Sequence, residues 1–571
     1  MNYRSGVKQM YSGGYQHINE PFLKFSLNEH TSRLFRPVSD EILEVCDTLG
    51  LTALKINPFI LKEIKACYEA NESVGKVTYS DDEPLPPFLP DNIWDKMKRE
   101  NDKAGIQKVK REREVIHSRN AKRKGQRWSL IRKIRLSDEL GDKTFYLPHC
   151  IDFRGRVYPL PQDINFVNDD VSRALLRFAE GKPYTKSGFK WLCIKLANDF
   201  GMDKLTFEER LEWVQKNYDL ILDSADNPRD GERFWTQADE AWQFLAGCEE
   251  FKRVDEEGIG VALNYIPVNV DATASGIQHL SAWIKCPTSA QVVNMTGNQD
   301  RFDIYGVQAE SLARVVAKDI DNVEEAKNWH GHIDRKTVKR AIMTIPYSVT
   351  PQGIRDQFIA DGHVEHLEGN PISNANYLRD ALLSKESLGN TIDKPREVMA
   401  YFKEVAQAFA EFDIPVTFKT PMGMTVHQAY WRENRKNVNT CFGKATLVEE
   451  YEELGLKKHK QAQSIAPNII HAFDAAHLQA VVYFGSRLKE NPITQWACIH
   501  DSIGTYANDI DNLNEVIRET FVEIYSKDVL GDFHQQMIDN IPHDLSIELP
   551  EPPTQGTFDI REVLSAPYFF S

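Results

Sequence analysis

The sequence predicts an α+β fold that is mostly helical, and three observations carry that prediction. Beyond YLPHCIDFRGRVYPLP to the end, helical stretches alternate with short strand-like runs. Those runs cluster at 261–271, 414–430 and 494–507, with long helical insertions between them, so any sheet they form is assembled from distant parts of the chain. At 571 residues the chain is too long for one compact core, so several subdomains are expected.

Taken in order, residues 1 to about 55 mix glycine-containing turns with an apolar-periodic segment, SDEILEVCDTLGL. A helix is expected in NPFILKEIKACYEA, and the proline-rich, acidic loop SDDEPLPPFLPDN then reads as a connector. From Trp94 to about Leu136 the chain is dense in Lys and Arg with few helix breakers. Such a run is either a solvated charged helix pair or a helical arm facing phosphate, and its basic excess within an acidic protein favours the arm. Further helices are expected at 204–224, 301–319, 335–346, 395–412 and 510–538.

Composition narrows the class. With 41% hydrophobic and 27% charged residues this is an ordinary globular chain. No apolar run reaches the roughly 18 residues that span a bilayer, and the first residues lack a signal-peptide core, so no membrane partner and a cytoplasmic location are expected. The eight cysteines show neither CxxC nor Cys/His metal spacing, which argues against a zinc site or a disulfide framework. A net charge of −15 is unfavourable for nucleic-acid binding overall but leaves room for a local basic channel.

The chemistry concentrates in three segments. In CIHDSIGTYA, two short strands are expected to flank a tight turn at His500-Asp501-Ser502, which would project a carboxylate from a rigid support; taken alone, Asp501 is an ordinary turn residue. In VALNYIPVNVDATASGIQHLSAWI, a buried strand runs to Val270 and a helix opens after it with Ser275 as its N-cap, which puts Asp271 on the rim of a sheet. Two carboxylates meeting there without a cation between them repel, and either bound divalent ions or a shared proton, as in acid proteases and glycosidases, resolves the repulsion. The third segment, DRKTVKRAIMTIPYSVTPQGIRDQ, places Arg335 and Lys339 on one helical stripe, with Pro346 ending the helix near Tyr347. A cationic pair of this kind suits a triphosphate, whereas a lone Arg/Lys pair is more often a solvated face.

Together, VDATASGIQH, RKTVKRAIMTIPYS and IHDS, in that order, resemble motifs A, B and C of the single-subunit DNA-dependent RNA polymerases of phage and mitochondrial type. IDFRGRVYPLP, ADEAWQFLAGCEEF, FDIYGVQAE, QSIAPNIIHAFDAAHL and GTFDIREVLSAPYFFS extend the resemblance, which runs from YSGGY to the last residue.

The resemblance implies a right-hand polymerase: residues 1–55 as the remnant of an N-terminal domain, 56–142 as a basic helical thumb, 143–287 as the first part of a palm, 288–470 as fingers and 471–571 as the second part of the palm with a C-terminal foot. A hairpin near 414–450 would occupy the place of the family's promoter-specificity loop. The implied activity is DNA-templated RNA synthesis from ribonucleoside triphosphates by a two-metal mechanism, with two Mg²⁺ ions as cofactors and DNA template, nascent RNA and rNTPs as partners. Asp271 and Asp501 would hold metal, with the Ala272 carbonyl as a further ligand. Lys339 and Arg335 would hold the triphosphate, Lys339 also protonating the pyrophosphate leaving group. Arg156 would face the nascent strand, His500 would flank the catalytic aspartate, and Tyr347 and His471 would read the sugar.

Family A DNA polymerases, which share the two aspartates, are the nearest rival. They carry a glutamate that blocks the ribose 2′-OH where this chain has Gly276, so ribonucleotides should be accepted. Ser348 stands where the family usually has glycine, and most of the family's promoter-binding N-terminal domain has no counterpart here. Two further readings follow from that: a catalytic subunit whose promoter functions come from a separate protein, or an inactive nucleic-acid-binding relic, against which the intact motif residues weigh. The expected setting is a phage gene expressed in the cytoplasm of an infected cell.

Overall fold

The computed structural model describes residues 13–14, 19–20, 22–24, 38–85, 90–100, 103–298, 301–441, 443–450 and 454–571. Part of YSGGY, most of the first 37 residues and residues 86–89 of the connector lie outside that set. Helices dominate and the described strands form small sheets of two or three strands, as the α+β reading expects.

The helix starts follow local chemistry. Ser39 caps Asp40–Gly50, Asn57 caps Pro58–Glu69 with proline at the first turn, and Asp334 and Thr337 close a reciprocal capping box on Arg335–Thr344. The basic arm is a short helix, Asp91–Arg99, followed by Lys103–Leu140. At ~1.5 Å per residue the longer one extends nearly 60 Å. It is anchored at its C-terminal end, where Leu130 and Lys133 are buried and Lys133 Nζ reaches Asp169 at 2.5 Å. The acidic connector lies against this helix: Glu83 pairs with Arg119 at 3.2 Å and Arg123 at 3.3 Å, and Asp82 pairs with Arg127.

Several elements depart from the sequence reading for identifiable reasons. The helix expected at 204–224 is two, Phe207–Lys216 and Tyr218–Asp226, broken at Asn217, whose amide donates to the Trp213 carbonyl at 2.7 Å. The one expected at 510–538 divides into Ile510–Tyr525 and Val529–Asp539, the second capped by Asp528. The 395–412 helix starts earlier, at Lys385, and kinks at Gly389 (φ 53°). The run 261–271 holds Leu263–Asn264 and Val268–Asp271, interrupted at Ile266-Pro267. The expected hairpin at 414–450 is two hairpins, Val416–Lys419 with Thr425–Gln428 and the exposed Glu433–Thr440 with Gly443–Glu450.

Among the described residues a large apolar cluster runs from Val45 to Phe570, and a smaller one joins Phe22, Leu23, Val38 and Ile42 to Ile151 and Met424. Val268, Val270 and Ile503, each 1% exposed, fix the strand pair at its centre. Burying each such side chain is worth about 1.5–3 kcal/mol, so the pair is rigid where it meets the cleft.

Candidate active site

Strand Val268–Asp271 pairs antiparallel with Ser502–Thr505, in a register that sets Asp271 opposite Ser502. The Ala272 N–H donates to the Asp501 carbonyl at 3.2 Å, so both aspartates stand at the same end of one two-stranded sheet. Only the second arm of the expected 494–507 hairpin is a regular strand. In the first arm the Ala497 carbonyl accepts from the Asn269 side chain at 3.0 Å, and a single bridge, Ile499 to Ser502, closes the turn. The turn residues are His500 and Asp501, with His500 at φ 56°, a left-handed conformation that side chains rarely adopt. Its ring packs edge-on against Tyr158 at 4.9 Å.

Both carboxylates are open to solvent at the cleft while protein crowds their other sides. That crowding pushes both above the usual carboxylate range, and the Asp501 charge raises Asp271 further. Among the described residues, neither forms a salt bridge with Lys, Arg or His. Among the described residues no set of three His, Cys, Asp or Glu side chains is gathered to hold a metal. Two carboxylates and a backbone carbonyl nevertheless fit Mg²⁺, which uses one or two carboxylates and takes its remaining ligands from water and substrate phosphates.

Ser275 is the first residue of helix Ser275–Ile284 and not its cap; Ala274, at φ 55°, holds that position. The buried Ser275 hydroxyl makes no hydrogen bond of good geometry among the described residues, but it lies near enough to Asp501 and Tyr347 to favour their charged forms. Tyr347 sits in the 3₁₀ turn Ile345–Tyr347 that Pro346 imposes after the cationic helix, and Ser348 leaves it in the left-handed region at φ 59°, which explains a preference for glycine there. A Cβ on Gly276 would lie 3.1 Å from Pro346 and 3.3 Å from the Tyr347 hydroxyl, so the glycine makes room for the tyrosine.

His471 and Asp474 lie one helical turn apart on Lys458–Gly485. The His471 ring packs on Tyr347 at 4.9 Å, and its Nδ1 is 2.6 Å from Arg154 Nη1. A guanidinium only donates, so Nδ1 accepts and the proton of the neutral ring sits on Nε2. Burial, with Arg156 and Arg154 nearby, pulls His471 down to about 2, and burial holds His500 at about 4. The ratio of wild-type to His471→Gln extension rates is therefore expected to stay flat from about pH 6 to pH 8, where a titrating imidazole would bend it. A midpoint near the ordinary histidine value would show that the ring changes charge.

Arg156, expected to face the nascent strand, is engaged sideways. Its Nε donates to Asp474 at 3.1 Å and a second N–H donates to the other carboxylate oxygen. Burial pushes Asp474 up while the guanidinium pulls it back. Asp152 organises this loop, accepting from the Arg154 and Arg156 N–H groups at 2.9 and 3.0 Å and from the Arg154 guanidinium. Arg335 is paired with Asp303 at 2.6 Å and stacked over Tyr305, whereas Lys339 is exposed. Arg335 and Arg301 both act on the pair Asp203–Lys204, a mixed-charge group the sequence reading did not assemble, in which Lys204 and Arg335 each hold an aspartate. Arg154, Asp474, Tyr158 and Ser275 were also missed. The spacing of Asp474 three residues after His471 is the one signal that could have found it.

Comparison with known proteins bears on this arrangement. The model of the family described as DNA-dependent RNA polymerase matches residues 182–548. DNA-directed RNA polymerase 1, mitochondrial, of Nicotiana sylvestris is 31% identical over 95% of this chain and 54% of its own length. DNA-directed RNA polymerase 2, chloroplastic/mitochondrial, of Arabidopsis thaliana is 31% identical over 93% of this chain and 52% of its own. The chain thus spans about half the length of the curated relatives it matches. These relatives are organellar, so the expectation of a phage gene in host cytoplasm draws no support from them. Among the described residues no helix is long and apolar enough to cross a membrane.

Proposed function

This chain belongs to the DNA-dependent RNA polymerase family, in its single-subunit, phage-type branch, and on that premise we propose that it extends RNA on a DNA template from ribonucleoside triphosphates. The observation that carries the reading is the juxtaposition of Asp271 and Asp501 at one end of a paired strand, with no cationic side chain paired to either among the described residues. Asp271, Asp501 and the Ala272 carbonyl would hold Mg²⁺, which supplies charge stabilisation for in-line attack of a 3′-OH on the α-phosphate. Lys339, free at the surface of its helix, would meet the triphosphate and protonate the departing pyrophosphate. Arg335, steered by Asp303, would contribute positive potential.

Tyr347, with Gly276 before it and neutral His471 behind it, would read the ribose, the His471 Nε2–H being free to donate. Arg156 acts as a positioning residue that ties the Asp152–Arg156 loop to the helix bearing His471. The basic helix Lys103–Leu140 would be the thumb, following the template–product duplex through phosphate contacts that carry no sequence information. The two halves of the palm would be brought together by the strand pair, with the fingers between them.

The test is extension of an RNA primer on a DNA template with rNTPs and Mg²⁺; absence of templated product would refute the reading. In the same assay Tyr347→Phe is expected to keep ribonucleotide extension and lower the rNTP-to-dNTP ratio of kcat/KM about tenfold, the scale of one lost hydrogen bond. An unchanged ratio would remove Tyr347 from the sugar contact.

A further inference from the structure

Four histidines lie in the segments that flank the cationic helix and the helix after it, and two of them meet in space. His330 and His332 lie in the segment between helices Glu324–Trp329 and Arg335–Thr344. His363 and His366 lie between Pro351–Ala360 and Pro371–Leu383. The patterns are H-x-H and H-x-x-H, and the fold brings them face to face: the rings of His332 and His366 stand 5.1 Å apart, tilted by 56°.

The scaffold beneath is fixed. The Asn328 amide donates to the Glu368 carbonyl at 2.9 Å and to the Asn374 side chain at 3.1 Å, and the buried Trp329 indole donates to the Asn374 carbonyl at 2.9 Å. Arg340 of the cationic helix pairs with Asp361 at 2.5 Å, and His363 lies near enough to Asp334, the cap of that helix, to act on its charge. Both segments are thus held in place while their imidazoles face solvent. His332 and His366 are exposed, and no hydrogen bond or ion pair among the described residues engages either ring.

We propose that His332 and His366 form a two-imidazole site for a borderline divalent cation of the Zn²⁺ class, pinning the segment before the cationic helix to the segment after Pro351–Ala360. Two imidazoles on a tetrahedral ion at metal–nitrogen distances of about 2.0–2.1 Å have ring centres about 5.2 Å apart, close to the observed spacing. Imidazole suits Zn²⁺ and Cu²⁺ and is a poor ligand for Mg²⁺, so this site is chemically separate from the aspartates. The structure gathers two ligands and not three, so water completes the coordination and affinity should be in the micromolar range. The sequence spacing argues against a zinc site; the fold departs from that expectation by bringing together His332 and His366 from separate segments.

The experiment is a Zn²⁺ titration of the purified full chain against a competing chromogenic chelator, in excess Mg²⁺. Wild type and His459→Ala, which removes an exposed histidine elsewhere, are expected to bind one Zn²⁺ at micromolar concentration. His332→Ala and His366→Ala should each weaken that binding about tenfold or more while circular dichroism shows the fold intact. Binding that survives both substitutions within about twofold, or no binding at about 100 μM Zn²⁺, overturns the proposal.

Discussion

Replacing Asp501 by alanine is expected to abolish RNA extension, lowering it on the order of a thousandfold or more, and Asp271→Ala should do the same. Each carboxylate sits at the end of a buried strand pair, so its removal changes charge at the cleft without disturbing the core that supports it. Template binding should stay nearly intact, because the proposed reading rests it on Lys and Arg contacts spread along the helix Lys103–Leu140. Primer extension and a parallel template-binding titration separate the two effects. Elongation near the wild-type rate by either variant would remove that aspartate from the metal site, and joint loss of binding would point to misfolding.

Asp474→Ala should be the most damaging substitution away from the aspartates. Asp474 is 2% exposed at its side chain and its partner Arg156 is 13% exposed, so the variant leaves a guanidinium buried without its counter-charge. Breaking a buried pair in this way typically costs about 3–5 kcal/mol, read here as a fall in the urea unfolding free energy. Removing both charges, as in Arg156→Met with Asp474→Leu, should recover much of that stability, because well-packed apolar side chains replace the pair without an orphaned charge. Extension by the double variant should remain low, since the loop and the helix bearing His471 lose their tie. A cost below about 1 kcal/mol for Asp474→Ala would show that the pair is not what holds them.

Much of this was legible in the sequence because it is local. The strand ending at Asp271, the helix that starts at Arg335 and the proline that ends it are short-range patterns, and the structure places them as read. What stayed hidden depends on tertiary partners. Nothing near Arg156 says that a carboxylate more than 300 residues later takes up its hydrogen bonds, and nothing near Arg335 names Asp303 as its partner. Ser275 was misread for the same kind of reason: its type favours a cap, but Ala274 takes the left-handed cap position and leaves the hydroxyl near Asp501 and Tyr347. Helix breaks at Asn217 and Asp528 depend on single side chains competing for backbone groups, which hydrophobic periodicity does not register.

The strand pair that unites Asp271 with Asp501 also sets a timetable. Its two strands are separated by 230 residues of chain (501 minus 271), nearly all of them outside the pair. A ribosome adding about 5–20 residues per second needs on the order of 10–50 s to make that interval, during which one carboxylate exists without the other. Everything between them can condense in that time, yet Val268–Asp271 waits with an unpaired edge, the kind of exposed strand that invites wrong partners. On the proposed reading, competence for metal-dependent chemistry is therefore among the last properties the growing chain acquires, and the pairing that completes the site also covers one edge of Val268–Asp271.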